Sequence, residues 1–61
     1  MDYITYVTQA HKLMDDAHEG GDRVLARRAM SAAQSARARA SSAAERAECA
    51  DLIREAERLL V

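Results

Sequence analysis

An all-α protein is predicted from three features of the sequence. There is no proline, there are fourteen alanines, and the only two glycines are the adjacent pair Gly20-Gly21. Alanine is the strongest helix former, and proline and glycine are the strongest breakers, so this composition leaves helix almost everywhere and one clear place to turn. With 61 residues the chain makes a single domain, residues 1–61, that can bury only ~60% of the surface its unfolded chain exposes. Its core is expected to be thin, and self-association is the expected way to supplement it.

The first helix is expected over about residues 2–18. Tyr3, Val7, Ala10, Met14 and Ala17, with Tyr6 and Leu13 beside them, recur at the four- and three-residue steps of one helical stripe. The turn falls at 19–21, because Gly20 or Gly21 can adopt the left-handed backbone that ends a helix. Asp22 follows as N-cap, its carboxylate accepting from the open amides of the next turn.

A second helix is expected from about 22 to 60. Leu25, Ala29, Ala32, Ala36, Ala40, Ala43, Ala47 and Ala50 form its stripe, narrow enough for Tyr3, Tyr6 and Val7 of the first helix to fill the space beside the alanines. Cys49, Leu52, Ile53, Ala56, Leu59 and Leu60 form another stripe on roughly the opposite side of the same wheel. Two architectures accommodate both stripes. In the preferred one the helix runs unbroken for roughly 55 Å at 1.5 Å per residue, the chain is a helical hairpin, and the C-terminal stripe packs on a second copy in a coiled-coil-like homodimeric bundle. In the alternative, Ser42-Ala43-Ala44-Glu45 acts as a capping box, the chain breaks near 41–42, and a third helix completes a three-helix bundle. The absence of glycine and proline from Arg39-Ala40-Ser41-Ser42 favours the unbroken helix.

Charge is strongly segregated along the chain although the net is only −1. Residues 1–22 carry −4, residues 23–44 carry +5 with no acid, and residues 45–61 carry −2. In the hairpin this sets Asp15 and Asp16 near Arg23 and Arg27, and Asp2 near Arg37 and Arg39. Arg23, Arg27 and Arg37 share one side of the wheel and Arg28 and Arg39 another, with no aromatic between them to stack a base, so phosphate binding is expected to be weak and salt-sensitive. These arginines are the candidate polar contacts to a partner, and Cys49, Leu52, Ile53, Ala56, Leu59 and Leu60 are the candidate dimer interface.

No catalytic, cofactor or metal site is expected. His11, Asp15 and His18 could line one side of the first helix as an incomplete zinc set, but two histidines seven residues apart lack the spacing of H-E-x-x-H and fit better as neighbours of a buried stripe. Cys49 has no histidine on its helix, and Glu45 and Glu48 beside it raise a thiol pKa. Gly20-Gly21 has no Lys-Ser or Lys-Thr after it to make a phosphate loop. An acid in place of an N-terminal basic cluster, a lone cysteine and the lack of a long apolar stretch suit a cytoplasmic protein with no membrane segment. The expected function is therefore binding: a small non-enzymatic inhibitor, regulator or adaptor of a larger protein, by analogy with phage-type modulators of a host regulator or motor protein. The alternatives are a nucleic-acid-binding regulator using the Arg23 to Arg39 segment and a structural assembly subunit.

Overall fold

The computed structural model describes residues 2–61 and contains three helices, α1 (Tyr3–Gly20), α2 (Arg23–Ala38) and α3 (Ala43–Leu60). The all-α expectation stands, and the alternative three-helix arrangement is the one that fits. The unbroken second helix is corrected: α2 stops at Ala38, and residues 39–42 reverse the chain.

Each boundary has a local cause. Asp2 caps α1, its carboxylate accepting from the Thr5 amide at 3.0 Å and the Thr5 hydroxyl at 2.8 Å. Gly21 ends the helix at φ 62°, ψ 31°, a left-handed conformation that glycine adopts without the Cβ clash of other residues, and its amide donates to the Ala17 carbonyl. Asp22 caps α2 as expected, accepting from the amides of Val24 at 2.8 Å and Leu25 at 3.4 Å.

The second reversal is made without glycine. The amides of Arg39 and Ala40 donate three residues back, to Ala36 and Arg37, which tightens the last turn of α2. Arg39 stays in an ordinary backbone conformation, φ −107° and ψ 2°, and its guanidinium donates to the Ser35 carbonyl at 3.0 Å. Across the gap, Ser42 caps α3 by accepting from the Glu45 amide at 3.1 Å. The Glu45 carboxylate returns past the cap to accept from the Ser41 amide at 2.8 Å and the Ser41 hydroxyl at 3.1 Å. Side chains therefore take up polar groups that a continuous helix would have satisfied with its own backbone.

The core forms where α2 meets both neighbours, while α1 and α3, running parallel, touch each other much less. Val7, Ala10 and Met14 of α1 and Cys49, Leu52 and Ala56 of α3 pack with Ala29, Ala32, Ala33 and Ala36 of α2 in one buried cluster. Tyr3, Tyr6, Leu13, Met30, Ile53 and Leu59 close its margins half-buried. The expected second stripe holds through Ala36 and then fails, since Ala43 and Ala47 are exposed. Cys49, Leu52 and Ala56, assigned to a dimer interface, are buried within the chain instead, and Ile53, Leu59 and Leu60 are half-buried. Folding α3 back thus covers the centre of that stripe within the chain.

A domain of this length has a total stability of about 3 to 9 kcal/mol at the usual per-residue value. Leu52 is one of the few large side chains in the core and is only 5% exposed. Leu52→Ala is therefore expected to cost about 2 to 5 kcal/mol, a large part of that total, whereas Val61→Ala at the exposed end is expected to stay within about 0.5 kcal/mol. Urea unfolding of the two variants followed by circular dichroism checks the contrast.

Candidate functional site

The five arginines expected to meet a partner start from a helix with no acid on it, because α2 contains Arg23, Arg27, Arg28 and Arg37 and Arg39 forms its C-cap. Its buried positions, Ala26, Ala29, Ala32, Ala33 and Ala36, span both the α1 and the α3 contact, so its outer half alone is left for long polar side chains. Arg23, Arg27, Arg28 and Arg37 are exposed on α2, and Arg39 is exposed at the cap beyond it, so the basic charge is carried along one acid-free helix and its end.

The arginines differ in what holds them. Arg23 donates to the Leu60 carbonyl at 2.8 Å, neutralising part of the negative end of α3. Arg39 lies over the Tyr6 ring, 4.6 Å from its centroid, a cation–π contact that fastens the reversal to α1. Arg27, Arg28 and Arg37 are exposed, and no hydrogen bond or ion pair joins their guanidinium groups to any described residue.

This differs from the expected pairing. Asp15 and Asp16 make no ion pair with Arg23 or Arg27; the ion pairs among the described residues are His11–Glu48, His18–Glu55 and Arg54–Asp51. Pairing exposed ions across a hairpin immobilises two long side chains for a small Coulomb gain, so acids and arginines on neighbouring helices can remain solvated apart.

The two histidines instead mark a polar seam between α1 and α3. His11 lies 3.8 Å from Glu48, and His18 contacts Glu55. Both residue pairs are spaced by seven, so two successive layers of a parallel helix pair repeat the same His–Glu contact. That matching spacing is in the sequence, but it becomes meaningful only once α3 is known to turn back beside α1. Asp15, the third member of the considered zinc set, is exposed, and no three His, Cys, Asp or Glu among the described residues converge as ligands.

Glu48 also accepts from the Tyr3 hydroxyl at 2.8 Å. Burial, and then the hydrogen bond and negative charge of Glu48, push the Tyr3 phenol well above the usual tyrosine range. Burial followed by Glu48 likewise raises the Cys49 thiol, which suits a packed, protonated side chain rather than a nucleophile. Asp2 is lowered mainly by the Thr5 amide that it caps.

No helix of the described residues is long and apolar enough to cross a membrane. Comparison with protein-family models, with curated proteins and with solved structures finds no match to this chain.

A raised folded-state pKa means that the folded protein holds the Tyr3 proton more tightly than the unfolded chain does. That contribution to stability is complete below the ordinary tyrosine value of ~10 and is lost as pH rises through the higher folded value. Glu48→Gln removes the negative charge while leaving the burial, so the Tyr3 midpoint is expected to move down toward the ordinary range without reaching it. Phenolate absorbance in a Tyr6→Phe background measures the shift; an unchanged midpoint would assign the whole effect to burial.

Proposed function

We propose that this protein is a small non-enzymatic regulator or adaptor that binds a larger protein through the basic outer side of α2. The supporting observation is the exposure of Arg27, Arg28 and Arg37 on an acid-free helix, with no ion-pair partner among the described residues. Arginines left unpaired beside acids of their own chain suit a complementary acidic surface elsewhere, where such charges steer encounter and suppress wrong partners. The C-terminal stripe no longer serves as the docking surface in this reading, since its centre is committed to the core.

The nucleic-acid reading draws on the same helix. Its cost is that the basic surface carries no exposed aromatic to stack on bases: Tyr6, the one aromatic beside it, is half-buried under Arg39.

Charge reversal separates the possibilities. The Arg27→Glu, Arg28→Glu, Arg37→Glu triple variant is expected to keep the wild-type circular dichroism, because all three side chains are solvated, and to lose the partner protein that immobilised wild-type protein captures from extract. Arg58→Glu, on another helix, is expected to retain it. Capture insensitive to the triple reversal would contradict the proposal. Tight binding of the wild type to double-stranded DNA at physiological salt, with affinity falling steeply as salt rises, would replace it with the nucleic-acid reading.

A further inference from the structure

We infer that the groove between α2 and α3, on the side away from α1, is a docking site for an amphipathic partner helix with acidic flanks; this rests on the protein-binding function proposed above and assigns its partner a chemistry. Two rows of side chains border the groove. On α2, Arg23, Arg27, Met30, Gln34 and Arg37 follow one another at alternating steps of four and three, which keeps them in line along the helix. On α3 the same steps give Arg46, Ala50, Ile53, Glu57 and Leu60.

The bond from Arg23 to the Leu60 carbonyl sets the start of the α2 row beside the end of the α3 row. Seven residues inward along each antiparallel helix, Met30 comes opposite Ile53, and seven further, Arg37 comes opposite Arg46.

The middle of the groove is apolar and incompletely covered. Met30 and Ile53 pack half-buried against the core with part of each side chain still open to solvent, and Ala50 beside them is half-buried and small enough to let a third helix approach closely. Methionine has the flexible, polarizable side chain that adapts to a variable apolar partner. Grooves of this form accept the apolar face of a helix through anchors spaced i, i+3, i+4 and i+7.

Charge selects the flanks. The guanidinium groups of Arg27, Arg37 and Arg46 border the groove without a hydrogen bond or ion pair to the described residues, and Glu57 is the one acid in the two rows. On that register Arg37 and Arg46 come to facing positions, where a carboxylate entering between them gains from both charges. A duplex phosphate backbone would engage the arginines but leave Met30 and Ile53 unused.

The test uses the full chain and a synthetic helical peptide carrying leucine at i, i+3, i+4 and i+7 with glutamates on both flanks. Amide and methyl chemical-shift changes are expected to concentrate at Met30, Ala50 and Ile53. Arg37→Glu or Arg46→Glu is expected to weaken binding about tenfold or more while leaving the circular dichroism intact, and a peptide with the same leucines and lysine flanks is expected not to bind. The groove assignment is overturned if the acidic peptide leaves those three residues unmoved, or if its changes gather at Arg28 and Ser35 on the α1 side of α2. In that last case the arginine surface would still bind protein, whereas capture insensitive to the triple arginine reversal removes the underlying function itself.

Discussion

Burial of α1 and α3 against two different sides of one alanine-lined helix is the contact on which the rest of the molecule depends. Ala29, Ala32, Ala33 and Ala36 form a shallow wall that packs in one cluster with Val7, Ala10 and Met14 of α1 and Cys49, Leu52 and Ala56 of α3. Alanine loses no side-chain entropy on burial and lets neighbouring axes come close, so a chain without a single phenylalanine or tryptophan can still form a continuous core. The stripes of α2 and α3 lie on opposite sides of a common wheel, and a straight helix could never bring both to one core. Reversal at 39–42 resolves that conflict within one chain.

Much of this was legible in the residues. The α1 stripe, the Gly20-Gly21 turn and the Asp22 cap each follow from a local rule, and the buried set Val7, Ala10, Met14 and Ala17 is the one its spacing indicates. The second reversal was harder because its components are individually weak. Arg39 reaching back to Ser35, Ser42 capping Glu45 and Glu45 returning to Ser41 contribute only together, and none of these residues is a helix breaker. The phase change between the alanine and leucine stripes was visible, but periodicity alone could not tell burial within a chain from burial between chains.

The candidate surface was legible by composition and obscured in geometry. Arg23, Arg27, Arg28, Arg37 and Arg39 stand out because no acid interrupts them, yet pairing with Asp15 and Asp16 was an equally reasonable expectation. What separates the arginines is tertiary: Arg23 is held by the end of α3 and Arg39 by Tyr6, leaving the intervening three solvated. The His–Glu seam has the same character, since Glu48 and Glu55 acquire their relation to His11 and His18 only through the return of α3. The reversal that buries the C-terminal stripe thus also decides which polar groups remain available for binding.

Small-angle X-ray scattering tests that reversal most directly, because it reports size and, through forward scattering, mass on the same sample. The account predicts a particle of one chain mass with a radius of gyration close to the 10.5 Å of its Cα atoms and a length near 31 Å, each raised slightly by side chains and hydration. A particle of two chain masses with a maximum dimension of about 55 Å or more, the length of an unbroken helix from Asp22 to Leu60 at 1.5 Å per residue, would contradict it.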